Sequence, residues 1–379
     1  MIYSRLGKTD LKVSKLGFGT LRLPYEKSLK CKVDEKKVEE IIRAAYEYGV
    51  NYFDTAENYL NHQAEIVLGK CLSPIRDKVI IATKISSIHL TKGVEIHIKE
   101  CCERLKTYYI DLLLIHAVTD DNWDVYQKAN TVKILDRLKK EGIIRHIGFS
   151  YHGSKDFYYQ MLKEYDWEVS QIQLNYVDRD VQAGETGGMF AHDLGIGVSV
   201  MSPLKGGVLV NGLNDDMKKH LCAANPGYSY AEWGLKWLYG RSYIDVVLNG
   251  ISSIENLKEN VRIVNDNQKL SENEEKVLNQ VRKIFFNSGQ IPCTKCNYCS
   301  ICSEKIKIPM IFDTYNHYLY DDDKLHYVAY YVFLTKGKLK CLQCRACEKK
   351  CPQQIKISDE LQRIHKLFMA QTNMKFFKK

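Results

Sequence analysis

The chain has 379 residues, 45% of them hydrophobic and 27% charged, with a formal net charge of +9; it exceeds one average domain and has the composition of a soluble globular protein. Its lysines are scattered among 46 acidic residues and no nucleic-acid motif accompanies them, which sets nucleic acid aside as a partner. No apolar run reaches the length of a membrane helix, and the first residues lack a signal-peptide core, so the expected location is cytoplasmic and off the membrane.

Along the first 265 or so residues, short β-rich apolar runs alternate with longer amphipathic stretches, the rhythm of parallel strands joined by helices. An initial hairpin turns at Gly7 to Asp10. Strands are expected at 15–19, 51–54, 79–84, 110–116, 144–150, 169–174, 198–201 and 244–248. Helices are expected at 35–48, 63–71, 94–107, 123–141, 154–164, 188–194, 230–239 and 254–264. Eight β/α units over this length fit a (β/α)8 TIM barrel, usually of roughly 250 residues, with the hairpin plugging its bottom. No G-x-G-x-x-G follows a strand, which argues against a Rossmann domain. A further helix from Ser271 to about Phe286 leads into the C-terminal region. The expected organisation is a barrel over residues 1–287 and a small, mainly α-helical domain over 288–379.

Function in such a barrel gathers where strands end. Asp54 and Tyr59 follow the second strand, Lys84 ends the third and His116 the fourth. Singly they read as a helix cap, a rim aromatic, a solvated lysine and a core histidine; together they can converge on one mouth. Tyr25, His89, Trp123 and His152, on candidate loops, suggest a partly aromatic entrance.

The C-terminal region carries eight of the 13 cysteines. Cys293, Cys296, Cys299 and Cys302 form one quartet, and Cys341, Cys344, Cys347 and Cys351, followed by Pro352, form another. Clustering without a disulfide-rich composition points to metal in a reducing compartment. The second run matches C-x2-C-x2-C-x3-C-P, the bacterial ferredoxin spacing for 4Fe-4S clusters. In the first run, two residues rather than three separate Cys299 from Cys302, and Ser303 stands where proline would follow. Zinc is the alternative occupant of C-x2-C pairs. The remaining cysteines, 31, 71, 101, 102 and 222, read as ordinary thiols. Residues 310–340, tyrosine-rich and including Asp321 to Asp323, read as a helical spacer, and 375–379 as a frayed basic end.

Across almost its whole length the sequence resembles the aldo-keto reductase superfamily, in particular its branch with a C-terminal 4Fe-4S ferredoxin-type domain. The resemblance rests on Leu16-Gly-Phe-Gly-Thr20, the Asp54 to Tyr59 segment, Ala82-Thr-Lys84, Ile115-His116, 142–150, 171–176, Ser202-Pro-Leu-Lys-Gly-Gly207 and the 249–260 segment. It implies a (β/α)8 barrel followed by an iron-sulfur domain with two 4Fe-4S clusters. It also implies an oxidoreductase that uses NADP or NAD to reduce an aldehyde or ketone, or to oxidise an alcohol. Tyr59 would be the proton donor, Lys84 its activating cation, Asp54 the counter-ion of Lys84, and His116 the group orienting the carbonyl.

By the same resemblance the cofactor would meet Gly19, Thr20, Asp54, Ser150, Gln171, Met201, Ser202, Leu204, Gly206, Ser252, Ser253, Asn256, Glu259 and Asn260. Tyr151 stands where many relatives have asparagine, and Met201 where many have a stacking aromatic. Gly250 and Asn256 occupy the places of the lysine and arginine that bind the 2′-phosphate, which leaves NADP against NAD open. If ligands cross between runs as in two-cluster ferredoxins, Cys351 completes the first cluster and Cys302 the second. The clusters then pass electrons to a ferredoxin-like or other redox protein partner; the other readings make them structural or sensing, or make the chain a nicotinamide-binding redox sensor.

Overall fold

The computed structural model describes residues 1–25, 32–60, 62–87, 90, 93–266, 268–320 and 324–375; His89, Cys31, Asp321 to Asp323 and residues 376–379 lie outside them. The strands are β1 (Tyr3–Arg5), β2 (Lys12–Ser14), β3 (Leu16–Gly19), β4 (Tyr52–Asp54), β5 (Ile80–Ile85), β6 (Ile110–Val118), β7 (Ile144–Tyr151), β8 (Val169–Gln173), β9 (Gly197–Met201) and β10 (Val246–Gly250). β3 to β10 pair in parallel and close, β10 against β3, into one barrel. The eight expected strands are these eight, with ends shifted by one or two residues. β1 and β2 form the antiparallel hairpin. Leu6 and Val13 from it join Tyr52, Ile80, Leu112, Leu114, Val169 and Val246 in the barrel's interior cluster, so the hairpin does plug the barrel. Gly7 is required there: at φ +51, a Cβ would lie 2.2 Å from the Gly197 nitrogen.

The helices are α1 (Glu35–Glu47), α2 (Gln63–Leu72), α3 (Val94–Leu105), α4 (Trp123–Lys128), α5 (Thr131–Lys140), α6 (Lys155–Glu164), α7 (Gly184–Asp193), α8 (Val208–Asn211), α9 (Asp215–Ala224), α10 (Tyr230–Tyr239), α11 (Ile254–Asp266), α12 (Glu272–Asn287), α13 (Ile308–Tyr320), α14 (Lys324–Thr335) and α15 (Ile357–Lys375). The single helix expected over 123–141 is two, because Asn130 adopts a left-handed φ of 50° between them. Helices α8, α9 and α15 were not among the expected elements. Among the described residues no helix is long and apolar enough to cross a membrane.

By packing, the chain divides into two compact units, Met1–Pro203 with Glu232–Ser271, and Leu204–Ala231 with Glu272–Lys379. The first holds the barrel strands. In the second, α12 lies against α9. Ile308, Ile311, Phe312, Tyr315, Val328, Tyr331, Leu361, Ile364 and Phe368 from α13, α14 and α15 form its core together with Cys299 and Cys347. Asn316 clasps the segment before the first quartet, accepting from the Ile291 amide and donating to the Ile291 carbonyl, both at 2.8 Å.

Candidate functional site

Strand register brings the rim residues together. Gly19 stands opposite Asp54, Asp54 opposite Ala82, and Ser150 opposite Gln171. At the end of β5 the Lys84 ammonium donates to Asp54 Oδ1 and to the Thr55 carbonyl, both at 2.7 Å. The other Asp54 oxygen accepts from Gln171 Nε2 at 2.8 Å. Asp54 thus accepts one bond from the neighbouring strand and one from β8 across the barrel, and is 4% exposed. The Lys84 Nζ lies 5.0 Å from the Tyr59 ring centroid, and the His116 ring meets Tyr59 edge-on at 5.9 Å. Tyr59 and His116 are 8% and 5% exposed, Lys84 only 1%. All four residues expected to act together therefore share one pocket. Burial lowers the Lys84 pKa from 10.5, and Asp54 opposes that shift.

Lys84 and Asp54 are a buried pair in which loss of one charge leaves the other stranded. Asp54→Asn is expected to destabilise the barrel by about 3–5 kcal/mol, read as a lower urea midpoint at pH 7. A depressed folded-state lysine pKa means the charge is a burden to the fold. That burden is complete below the folded pKa and is relieved as pH rises toward the unfolded value near 10.5, so the variant should recover stability on the alkaline side.

Of the expected dinucleotide contacts, those of the first unit lie at the strand ends and on α11. Ser150 Oγ accepts from the Ala117 amide at 2.8 Å, and Thr20 donates to the Asp54 carbonyl at 3.0 Å. Ser202, at φ +57, follows Met201, the last residue of β9, and its carbonyl accepts from Asn175 Nδ2 at 3.2 Å. Ser253 caps α11 by accepting from the Asn256 amide at 3.2 Å, and Ser252 donates to Asn256 Oδ1 at 3.0 Å. Glu259 and Asn260 lie one turn further along α11, Asn260 buried. Leu204 and Gly206 belong to the second unit. Asn249, 4% exposed at the end of β10, keeps its Nδ2 buried without a hydrogen-bond partner, a donor suited to an acceptor on a ligand. Residues 249–260 thus fit a polar nucleotide.

Trp123 does not face a mouth. It is 5% exposed, packs on Tyr126 and Trp167, and donates to Glu164, so it belongs to the helical layer. Tyr25 is exposed, and His152 shares a hydrogen bond with Gln182, burial holding its pKa down at about 4.

Sequence reasoning missed a polar network beneath the Tyr59 turn. Glu57, two residues before Tyr59, lies 3.3 Å from Nδ1 of the buried His97 on α3. Arg104 on the same helix pairs with Glu65 at 2.6 Å, and Glu65 accepts from Thr83, the neighbour of Lys84, at 2.5 Å. His97, Cys101 and Arg104 recur at the spacing of one helix face, which is the signal that would have found them. Arg104→Met is expected to cost about 3–5 kcal/mol by stranding Glu65, measured by denaturant melts.

In the second unit, two cavities have cysteine walls. One is lined by Cys293, Cys296, Cys299 and Cys351, with Ile308, Phe312 and Ile355. The other is lined by Cys302, Cys341, Cys344 and Cys347, with Ile306, Ile308 and Leu361. The last cysteine of each run lines the other run's cavity. Among the described residues all cysteines are free thiols, and no three bring their sulfurs within 4.8 Å of one another. Burial and the neighbouring cysteines push Cys293 up to about 11 and Cys299 up to about 12. Both runs share one backbone feature: Lys295 and Asn297 in the first, Gln343 and Arg345 in the second, flank the second cysteine of the run with positive φ. Such turns aim successive amides into an anion-binding hollow. Cys71, Cys101 and Cys102 belong to the first unit, and Cys222 lines neither cavity.

A closed parallel barrel with a lysine, aspartate, tyrosine and histidine gathered at its strand ends is the framework of a (β/α)8 oxidoreductase. The aldo/keto reductase family model matches residues 15–283, and the chain belongs to that family. It is 28% identical to an uncharacterized oxidoreductase, YqkF, of Bacillus subtilis, over 72% of this chain and 94% of that one. It is also 28% identical to L-galactose dehydrogenase of Arabidopsis thaliana, over 75% and 96%. Among solved structures it resembles the holo form of aldo-keto reductase AKR11C1 from Bacillus halodurans, with a TM-score of 0.62 and 27% identity, over 74% of this chain and 96% of that one.

Proposed function

We propose that residues 1–287 form a catalytic barrel that reduces a small aldehyde or ketone with NADPH or NADH, or runs the reverse oxidation, and that residues 288–379 form a domain holding two 4Fe-4S clusters. The convergence of Tyr59 with the Asp54-bound Lys84 ammonium carries the first half of this reading. Bound nicotinamide supplies the hydride. Negative charge then develops on the carbonyl oxygen, where Tyr59 donates a proton. The nearby ammonium favours phenolate and so eases that donation. His116 orients the carbonyl and excludes water from the face of Tyr59. Asp54 keeps Lys84 charged in a site where burial works against it. Ser150 and Gln171 would hold the nicotinamide carboxamide, Gln171 being itself held by Asp54. Gly19, Thr20, Met201 and Ser202 would line the ring and ribose, Leu204 and Gly206 the pyrophosphate, and Ser252, Ser253, Asn256, Glu259 and Asn260 the adenosine.

For the second half, the support is the crossed cysteine walls. Zinc is the alternative occupant of C-x2-C pairs; the ferredoxin spacing of the second run and the positive-φ turns around the cysteines favour cubic clusters. One cluster would take Cys293, Cys296, Cys299 and Cys351, the other Cys341, Cys344, Cys347 and Cys302. Clusters held there would supply one-electron chemistry, so their counterpart would be a redox protein rather than the carbonyl. Anaerobic purification with iron and sulfide counts and a visible spectrum tests this half. A broad band near 400 nm with about eight irons per chain is expected for two cubanes; colourless, zinc-loaded protein would overturn it.

A further inference from the structure

We infer that Lys205 couples the glycine turn to the first cysteine cavity within the second unit, so that dinucleotide affinity and the oxidation state of the first cluster depend on each other. This rests on the reading above, in which residues 204–207 meet the dinucleotide pyrophosphate and Cys351 holds the first cluster.

Lys205 is in the Ser202-Pro-Leu-Lys-Gly-Gly207 turn, yet its side chain is not on the surface: the residue is 1% exposed. Its backbone has a left-handed φ of 49°, followed by Gly206 at 67° and Gly207 at 93°. A non-glycine residue pays for that conformation. The Nζ donates to Gln353 Oε1 at 3.2 Å and lies 6.0 Å from the Phe285 ring centroid. Gln353 is two residues after Cys351 and lines the cavity walled by Cys293, Cys296, Cys299 and Cys351. A second feature joins the same two places. Gly206 and Gly207 share a cavity of about 270 Å³ with Gln290, Lys295 and Cys293. The glycine turn therefore reaches the first cysteine cavity through a buried cation and through a common hollow.

A buried ammonium beside an iron-sulfur site acts on its potential through charge. Reduction adds one negative charge to the cluster and draws the Lys205 ammonium more firmly toward the Gln353 wall. That leaves the turn less positive and places more negative charge near the pyrophosphate. The dinucleotide then binds more weakly to reduced protein. Because coupling free energies are reciprocal, bound dinucleotide makes the first cluster harder to reduce.

The test uses the full chain loaded with iron anaerobically, and redox-inert probes, ADP-ribose and its 2′-phosphate. Their Kd values are measured by calorimetry on oxidised and dithionite-reduced protein, and the potential of each cluster by EPR-monitored titration with and without saturating probe. Wild type should bind at least about fivefold more weakly when reduced, with one cluster potential lowered by the probe. In Lys205→Met the two Kd values should agree within about twofold, the lower end of resolvable coupling, and the probe should leave both potentials unchanged. Lys205→Arg should restore the coupling. Should Lys205→Met not fold, Gln353→Leu cuts the same link from the other side and should give the same loss. Iron-loaded wild type with equal Kd values in both states overturns the inference alone. Protein that takes up no iron overturns the cluster reading together with it.

Discussion

Tyr59→Phe is expected to lower kcat for carbonyl reduction by about 10²-fold to 10⁴-fold, the usual contribution of a positioned proton donor, while the dinucleotide Kd changes less than about threefold. The phenylalanine keeps the ring, which packs edge-on against His116 with the Lys84 ammonium 5.0 Å from its centroid, so the pocket is preserved and only the hydroxyl is lost. A loss in kcat without a loss in binding identifies an interaction made in the transition state. Lys84→Met should produce a loss of similar size by a different route. The hydroxyl is kept, but the cation 5.0 Å from its ring is lost, so charge developing on the substrate oxygen is no longer offset by a nearby positive group. Retained turnover in Tyr59→Phe would remove Tyr59 from the proton-donor role.

The crossed ligand sets make an equally large and unusual prediction. Cys296 and Cys351 line one cavity, whereas Cys296 and Cys302, close in sequence, line different ones. The double variant Cys296→Ala, Cys351→Ala should therefore keep about four irons per chain, one intact cubane. The double variant Cys296→Ala, Cys302→Ala should keep none. Ligation run by run predicts the reverse pair of outcomes, so iron counts on two proteins decide between them. The short spacing between Cys299 and Cys302 is accommodated because Cys302 is turned, through the 3-10 turn Tyr298–Ile301, toward the other run's cavity.

Much of this architecture was legible in the sequence because parallel barrel strands are buried on both faces and read as apolar runs ending in a polar residue. Asp54, Lys84 and His116 are such endings, Tyr59 stands in the segment that follows Asp54, and the motif resemblance supplied the roles of the four. The misreadings have local physical causes. A left-handed Asn130 is compatible with the amphipathic pattern on both sides, so one helix was read where two exist. Trp123 was assigned to a mouth by its position after a strand, but α4 folds back and buries it against Trp167. Helix α15 did carry a signal, with Ile357, Leu361, Ile364 and Phe368 at helical spacing, obscured by its place beyond the cysteines. The spacing of His97, Cys101 and Arg104 marks one helix face, but their partners Glu57 and Glu65, like Gln353 opposite Lys205, lie elsewhere in the sequence, and no periodicity records such pairings.

The central claim is that the barrel is a working nicotinamide-dependent carbonyl reductase to which the cysteine domain is appended. Its most direct test is steady-state turnover of NADPH and NADH by the iron-loaded protein, under anaerobic conditions, across a panel of aldehydes and ketones and, with oxidised cofactor, the matching alcohols. The account predicts carbonyl-dependent consumption of at least one dinucleotide with stoichiometric alcohol formation. Tight dinucleotide binding with no turnover of any carbonyl or alcohol would contradict it and make the chain a nicotinamide-binding sensor.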